Sequence, residues 1–147
     1  MRKQLSGGEV KHALGSHPYV LLVEDEPITQ KVHTVMLQKL GCKVDLAANG
    51  AQALELCTNH YDIILLDCGL PDIDGFELDK RLRKQEQTLG ISNRPHIMLT
   101  AFNFESFAEE YKTASINDYA IKPIAYNKLQ SLIQKWFGGS SKRHLTN

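Results

Sequence analysis

The stretch that decides the fold is IILLDCGLPDIDG, residues 63–75. Four apolar residues end in the carboxylate of Asp67, and a cluster of Gly, Pro and Asp follows at once. A short apolar run bounded by turn residues fits a central parallel strand that is covered on both faces. Ligands of open parallel sheets bind beyond the carboxyl ends of the strands, where Asp67 would lie. Taken alone, the stretch fits an aspartate that only caps a turn about equally well.

Other stretches have the same form, an apolar run that ends in polar side chains. They are Tyr19–Val23 before Glu24 and Asp25, His96–Thr100 with its terminal hydroxyl, and Asp118–Ile121 before Lys122. A further strand, Lys43–Ala47, alternates polar and apolar residues, as a half-exposed strand near a sheet edge does. Acids, a hydroxyl and an ammonium group are thus predicted to meet at one edge of a sheet, which argues against a simple turn cap at Asp67.

Composition excludes several classes of protein. The chain has 147 residues, 42% of them hydrophobic and 23% charged, as in one soluble globular domain. Lys plus Arg and Asp plus Glu both total 17, so no overall basic field points to nucleic acid. No apolar run reaches the roughly 18 residues of a membrane span, and the polar start does not resemble a signal peptide. We therefore expect a cytoplasmic chain without direct membrane or nucleic-acid contact.

The cysteines and histidines indicate neither disulfides nor a transition-metal site. Cys42, Cys57 and Cys68 are odd in number and lack C-x-x-C spacing, which favours reduced, structural thiols. The six histidines show no spacing typical of metal ligands.

Helical patterns separate the strands. The first helix begins at Pro27 and ends at Gly41, and its apolar residues are expected to face the sheet: Ile28, Val32, Val35, Met36 and Leu40. Further helices are predicted at 51–59, at Phe76–Gln85, around Phe104, Phe107, Ala108 and Tyr111, and around Leu129, Leu132, Ile133, Trp136 and Phe137. Residues 86–95 are polar and are expected to be irregular.

Five strands alternating with five helices predict an α/β fold, because parallel neighbours need crossover helices. We expect a doubly wound, five-stranded parallel sheet in the order 2-1-3-4-5. In that order the first and third strands are neighbours at the switch point, which brings Glu24, Asp25 and Asp67 together.

Three close carboxylates repel one another, and a hard divalent cation relieves that repulsion. Oxygen ligands without His or thiolate select Mg²⁺, or Mn²⁺ and more weakly Ca²⁺, and an open Mg²⁺ site completes its shell with water and phosphate oxygens. This chemistry indicates phosphoryl transfer, in which Mg²⁺ and Lys122 balance the phosphoryl charge and Thr100 donates to one oxygen. Asp67 is the best candidate nucleophile, because it is alone on the central strand.

The motifs resemble those of receiver domains of two-component response regulators. They are VEDEP at 23–27, LDCGLPDIDG at 66–75, LTA at 99–101 and DYAIKP at 118–123, and the resemblance covers about 19–137. It implies the flavodoxin-like receiver fold, with residues 1–17 a linker or disordered lead-in, 18–138 the receiver domain and 139–147 a polar tail. It also implies self-catalysed phosphorylation and dephosphorylation rather than a free-standing enzyme.

The resemblance assigns roles to individual residues. Asp67 accepts a phosphoryl group from a phosphohistidine, and Glu24, Asp25, Asp67 and the Gly69 carbonyl hold Mg²⁺. Thr100 and Lys122 engage the phosphate, Thr100 and Tyr119 form the switch in which Tyr119 turns inward, and the Lys122–Pro123 peptide is cis. Without the resemblance, Tyr119 would be read as an edge-strand aromatic. Ser115 departs from the family, which usually has a helix-ending glycine there, so we expect a strained or differently shaped turn.

The amino-acid sequences of the first helix, the 86–95 connection and the last helix are most similar to those of receivers in hybrid sensor histidine kinases. Such a receiver would be the cytoplasmic part of a membrane-bound kinase, and its partner would be a histidine kinase or a histidine phosphotransfer domain. A stand-alone, single-domain response regulator would look the same. The sequence does not indicate the oligomeric state, the cognate partner or the signal.

Two other classes compete with this interpretation. An aspartate-nucleophile phosphatase of the haloacid dehalogenase type needs a second Asp two residues after the nucleophile, where this chain has Gly69. A degenerate receiver that only binds proteins usually lacks the acceptor, the acid pair or the lysine, all of which are present here.

A partner bundle has to approach Asp67 over the carboxyl edge of the sheet. The expected docking residues are Pro27, Ile28 and Lys31 on the first helix and Pro123, Ile124 and Ala125 after the last strand. An inward-facing Ile28 is equally compatible with the sequence, whereas Ile124 is expected to be exposed.

Overall fold

The computed structural model describes residues 17–91, 93–101, 109 and 115–138. Its strands are β1 (Tyr19–Val23), β2 (Lys43–Ala47), β3 (Ile63–Asp67), β4 (His96–Thr100) and β5 (Asp118–Ile121). Its helices are α1 (Pro27–Lys39), α2 (Gly50–Leu56), α3 (Gly75–Leu89) and α4 (Tyr126–Ile133), and α4 continues as a π-helical turn, Gln134–Gly138. The lead-in, the tail and the helix expected around Phe104–Tyr111 lie outside the described residues.

The five strands form one parallel sheet in the order β2-β1-β3-β4-β5, as predicted. The register places Val23 beside Leu66. The next residues, Glu24 and Asp67, therefore lie beside each other at the ends of two neighbouring strands. This juxtaposition at the switch point creates the acid edge that the sequence indicates.

Alternate residues of the strands supply two cores, one on each face of the sheet. The core that packs under α1 and α4 contains Val20, Leu22, Leu37, Cys42, Ile63, Leu65, Ile97, Leu99, Ala120, Ile124, Leu129, Leu132 and Ile133. The core under α2 and α3 contains Leu21, Val23, Ala47, Ala53, Cys57, Tyr61, Ile64, Leu66, Phe76, Leu78, Leu82 and Met98. Both faces are therefore covered by helices, and the fold is doubly wound. In the part of the chain that the structure describes, no helix is long and apolar enough to cross a bilayer.

The first helix corrects the predicted orientation of its apolar residues. Ile28, Val32 and Val35 are 72%, 48% and 42% exposed, whereas His33 and Leu37 are buried against the sheet. The helix carries two apolar stripes, and the one centred on Leu37 faces inward, with Met36 and Leu40 half-buried beside it. The exposed stripe lies next to the acid edge, because α1 begins directly after it.

The connection predicted as irregular at 86–95 is partly helical and partly buried. α3 continues to Leu89 and ends at Gly90, whose φ of 73° is left-handed and favours glycine. Glu86 and Arg94 are buried, and they join Asp79 and His96 in a buried charge network below the amino end of β4. The polar composition of this segment thus reflects internal pairing rather than exposure to solvent.

In the buried charge network, both ring nitrogens of His96 face carboxylates. Nδ1 lies 2.6 Å from Asp79 and Nε2 lies 2.9 Å from Glu86. Arg94 also donates to Glu86, through its Nε. Asp79 also accepts a hydrogen bond from the Ser115 amide at 2.8 Å. The network therefore joins α3 to β4 and to the segment before β5.

Of the two expectations for the turn at Ser115, a strained one and a differently shaped one, the structure does not support the first. The described residues include no non-glycine residue with positive φ, so Ser115 does not adopt the left-handed conformation that its usual glycine would favour. Arg83 donates to the Ser115 carbonyl at 2.8 Å, and Asp79 binds its amide. Side chains of α3 therefore hold the backbone at Ser115.

Candidate active site at the carboxyl edge

The three acidic residues meet as predicted. One carboxylate oxygen from each of Glu24, Asp25 and Asp67 lies within 4.8 Å of the other two. Glu24 and Asp67 are 0% and 3% exposed, whereas Asp25 is half-buried. Two of the three charges are thus withdrawn from water, which makes their mutual repulsion costly.

Lys122 lies between the two buried acids. Its Nζ donates to Asp67 Oδ1 at 3.0 Å and to Glu24 Oε1 at 3.2 Å. Burial alone would lower the pKa of Lys122, but the hydrogen bond and charge of Asp67, with those of Glu24, outweigh it and raise the pKa above 10.5. Lys122 therefore carries its charge at every physiological pH.

Glu24 is the strained member of the cluster. Burial, and next the negative charge of Asp67, raise its pKa above the ordinary 4.5, although the Glu26 amide and Lys122 act in the opposite direction. Three carboxylates converge here and Lys122 is the one cation that pairs with them among the described residues. The cluster as it stands has an excess of negative charge.

Contacts with the start of α1 hold Glu24 in place. The Glu26 amide donates to Glu24 Oε2 at 3.2 Å, and the Gln30 side-chain amide donates to the Glu24 carbonyl at 2.7 Å. Glu26 also caps α1 by accepting from the Thr29 amide at 2.7 Å. The first turn of α1 thus holds the β1–α1 loop, a role of Gln30 that no pattern in the sequence indicated.

The loop after β3 is held close against the end of its strand. The Gly75 amide donates to the Cys68 carbonyl at 2.9 Å, and Gly69 forms a bridge with Asp74. A Cβ at Gly75 would lie 2.7 Å from the Asp67 carbonyl oxygen, which is closer than real contacts allow. Glycine at 75 is therefore required for this approach, whereas Gly69 has open space around it.

Thr100 and Tyr119 occupy the remaining part of the edge. Thr100 ends β4 and is 1% exposed, and its carbonyl accepts from the Lys122 amide at 2.7 Å. Its side chain hydrogen-bonds Cys68, whose thiol pKa burial raises. Tyr119 is half-buried and packs against the core under α2 and α3. The Lys122–Pro123 peptide is cis, as predicted.

The predicted docking residues separate into exposed and buried ones. Ile28, Lys31 and Pro123 are exposed, but Ile124 is only 5% exposed, so the expectation that it lies on the surface is wrong. Ile124 packs into the core with Leu129.

A protein-family model, the response regulator receiver domain, matches residues 20–134. Two-component response regulator 24 of Arabidopsis thaliana is 34% identical over 117 residues, which cover 78% of this chain and 81% of that protein. The aerobic respiration control sensor protein ArcB of Escherichia coli is 36% identical over 119 residues, or 80% of this chain and 15% of ArcB. Hybrid signal transduction histidine kinase L of Dictyostelium discoideum is 32% identical, and the match covers 80% of this chain and 7% of the kinase. The chain thus spans most of one relative and a small part of the kinases.

Solved structures agree with the fold. The receiver domain of a sensor histidine kinase from Pseudomonas aeruginosa has a TM-score of 0.74 and 39% identity, with 84% of this chain and 99% of that chain covered. That crystal structure has a magnesium ion coordinated in the active site cleft. Vibrio cholerae chemotaxis protein CheY4 has a TM-score of 0.73 and 30% identity, with 83% of this chain and 100% of that chain covered. A family match over this length, with homologous receivers in hybrid kinases, shows that the chain belongs to the response regulator receiver domains of two-component systems.

Proposed function

We propose that Asp67 is the phosphoacceptor of this receiver domain and that it takes a phosphoryl group from a phosphohistidine in a phosphorelay. In that step the bond from phosphorus to the donor imidazole nitrogen breaks and a bond from phosphorus to Asp67 forms. The donor imidazole then takes a proton from solvent. The side chains of Glu24, Asp25, Lys122 and Thr100 surround the acceptor and support this role.

The observation that carries the proposal is the hydrogen bonding of the two Asp67 carboxylate oxygens. Oδ1 accepts from Lys122 Nζ at 3.0 Å and from the Gly69 amide at 3.1 Å. Oδ2 has no hydrogen-bond partner among the described residues. One oxygen is therefore held while the other is available to attack, as a positioned nucleophile requires.

The acid cluster fits Mg²⁺. Three carboxylates offer oxygen ligands within 4.8 Å of one another, and no His or Cys of the described residues joins them. The Gly69 carbonyl is the proposed fourth protein ligand, and Mn²⁺ would substitute because it prefers the same ligands. Bound Mg²⁺ would neutralise charge on the phosphoryl oxygens.

Lys122 and Thr100 are proposed to hold the transferred group. The Lys122 ammonium, already 3.0 Å from Asp67, would pair with a phosphoryl oxygen, and the Thr100 hydroxyl would donate to another. Thr100 would then leave its contact with Cys68, and Tyr119, packed on the same face, would turn further inward. This movement would pass the phosphorylation state to the surface near β5.

Phosphorylation by a small donor tests the proposal. The purified chain should gain one phosphoryl group from acetyl phosphate when Mg²⁺ or Mn²⁺ is present, and intact-mass spectrometry detects the added mass. Without a cation the uncompensated carboxylates should repel the incoming anion. Equal phosphorylation in excess EDTA, or in the Asp67→Asn variant, would refute the role of Asp67.

The place of the domain in a longer pathway is also a proposal. The matches to hybrid histidine kinases favour a receiver segment of such a kinase, which would act in the cytoplasm and exchange phosphoryl groups with a histidine kinase or histidine phosphotransfer domain. The match to a plant response regulator over 81% of its length keeps a single-domain regulator as the alternative.

The exposed stripe of α1, formed by Ile28, Val32 and Val35, is the proposed docking surface for a phosphotransfer helix bundle. Its residues follow a spacing of i, i+4 and i+7, so they form one continuous apolar strip. The strip begins beside the acid edge, and the exposed Lys31 flanks it. An apolar centre with a polar rim is typical of a transient interface.

Ile28→Asp tests the docking surface. The variant should slow phosphotransfer from a protein donor at least about tenfold, which corresponds to roughly 1.4 kcal/mol, while its phosphorylation by acetyl phosphate stays near that of the wild type. Leu89→Asp, on an equally apolar and 49% exposed residue at the end of α3, serves as the matched control. Equal loss with both donors, or an equal effect in the control, would contradict this surface.

A further inference from the structure

The junction between β2 and α2, residues 47–51, touches both loops that carry the proposed metal ligands. On one side the Ala47 carbonyl accepts from the Glu24 amide at 3.0 Å. On the other side the Gly50 and Ala51 amides donate to the Asp72 carboxylate, at 2.9 Å and 3.1 Å. The junction therefore connects the acid-pair loop with the β3–α3 loop.

The β3–α3 loop packs tightly against the start of α2 beside Asp72. Ile73, the next residue of the β3–α3 loop, packs so closely on Gly50 that a Cβ there would overlap its methyl group Cγ2. The same Cβ would lie 3.3 Å from Asp72 Oδ1. The loop and the first turn of α2 thus fit each other only because residue 50 is glycine.

Asp72 also satisfies amides that α2 cannot satisfy itself. The helix has seven residues, which is too short to be stable on its own. Asn49 accepts from the Gln52 amide at 2.8 Å, and Asp72 takes the two preceding amides. Mainly because of the hydrogen bond from the Gly50 amide, the pKa of Asp72 is lowered from 3.8.

Hydrogen bonds within the loop hold its ends, whereas its middle is held by the packing of Leu70 and Ile73 and by the hydrogen bonds of Asp72. Gly69 pairs with Asp74, and the Gly75 amide binds the Cys68 carbonyl. Among the described residues, the hydrogen bonds that join residues 70–73 to another element are the two at Asp72. The Gly69 amide donates to Asp67 Oδ1 at 3.1 Å, so the direction of the Gly69 carbonyl depends on that bond together with the anchoring of residues 70–73.

We propose that Asp72 is a positioning residue for the cation site: by fixing the β3–α3 loop to the start of α2, it directs the Gly69 carbonyl toward the carboxylates of Glu24, Asp25 and Asp67. This role rests on the proposed function, in which that carbonyl is a metal ligand. Asp72 does not touch the cation. Its loss acts on the geometry of the site, in the way that outer-shell partners of metal ligands do.

Calorimetric titration of the whole chain with MgCl₂ tests the role. Asp72→Ala should weaken Mg²⁺ binding by about three- to tenfold, at or below the low end of the effect of outer-shell partners. Asp72→Asn keeps an acceptor oxygen for the Gly50 amide and should retain most of the affinity. Thermal unfolding in EDTA measures the stability of each variant separately from its metal affinity.

A purely electrostatic effect of Asp72 makes a different set of predictions. Loss of its charge would weaken binding equally in the Ala and Asn variants, and about 0.5 M KCl would remove the difference from the wild type. The positioning role predicts a larger loss in Asp72→Ala than in Asp72→Asn, and that difference should persist in salt. Equal affinities in both variants, whether reduced or like the wild type, would overturn the role of Asp72 and leave the proposed function intact. Failure of the wild type itself to bind Mg²⁺ would overturn both.

Discussion

Replacing His96 by leucine tests how strongly the buried charge network holds the domain together. His96 is 0% exposed, and its two ring nitrogens contact Asp79 and Glu86 at 2.6 Å and 2.9 Å. A leucine of similar volume fills the space but offers neither contact. Glu86 then keeps Arg94 and Arg83 as partners, whereas Asp79 keeps only the Ser115 amide among the residues that the structure describes.

The expected loss of stability follows from the Asp79 carboxylate, which stays buried without a cationic partner. Removing one member of a buried ion pair typically costs about 3–5 kcal/mol, because the other charge stays buried without compensation. Since a domain of this size is stable by only about 5–15 kcal/mol, His96→Leu should remove a large part of its free energy of unfolding. At roughly 3–5 °C per kcal/mol for such a domain, Tm should fall by about 10–25 °C. Urea and thermal unfolding, followed by circular dichroism, measure both quantities.

Two further variants show whether the stranded charge is the cause. Asp79→Asn in the His96→Leu background removes the buried charge while keeping an acceptor for Ser115, so the double variant should be more stable than His96→Leu alone. His60→Leu, at a side chain that is 73% exposed, should change the free energy of unfolding by less than about 0.5 kcal/mol. A loss of under about 1 kcal/mol in His96→Leu, or no recovery in the double variant, would refute the reasoning.

Two other outcomes are expected. Gly75→Ala should force the β3–α3 loop away from the Asp67 carbonyl, lower the free energy of unfolding by about 1–3 kcal/mol and weaken Mg²⁺ binding. Gly69→Ala should have neither effect, because a Cβ there meets open space. Similar calorimetric titrations of the two variants would contradict this expectation. Although burial acts in the opposite direction, His96 and Arg94 lower the pKa of Glu86 below 4.5. The charge of Glu86 therefore stabilises the folded state fully above about pH 4.5, and this stabilisation is lost as the pH falls through the lowered pKa of the folded state. The free energy of unfolding should decline less on acidification in Glu86→Gln than in the wild type. Urea unfolding between about pH 6 and pH 3 makes that comparison.

The sequence predicted the sheet and the acid edge well, because both depend on local signals. Each strand is a short apolar run with a distinct end, so the predicted bounds of the five strands match those of the structure. The parallel topology then places the strand ends together without any knowledge of side-chain contacts. Asp67 and Lys122 could be assigned to one site on this basis alone.

The orientation of α1 could not be predicted in the same way. Its apolar residues cover two sides of the helix, with Ile28, Val32 and Val35 on one side and Leu37, flanked by Met36 and Leu40, on the other. Periodicity alone does not decide which of two apolar stripes faces the sheet. Similarly, Ile124 follows a turn-like Lys-Pro pair, yet the core of α4 closes over it.

The backbone contacts of Asp72 and Asp79 could not be predicted because their partners are distant in the sequence. Asp72 binds amides at positions 50 and 51, and Asp79 binds the amide of Ser115. In the sequence these carboxylates look like ordinary helix or turn acids. Only the packing of α3 and its loop against other elements reveals that they are internal ligands of the backbone.

The charge of the acid cluster links cation binding to stability. Among the described residues, Lys122 is the single cation paired with the buried acids, while three carboxylates converge there, so ionised Glu24, Asp25 and Asp67 leave an excess of two negative charges. Burial is the main cause of the raised pKa of Glu24, and the negative charge of Asp67 adds to it. A divalent cation would cancel the excess negative charge, so binding would both stabilise the fold and allow an anionic phosphoryl group to approach Asp67. The same excess that makes the free site unfavourable is thus the reason to expect that the proposed phosphoryl transfer to Asp67 requires the cation.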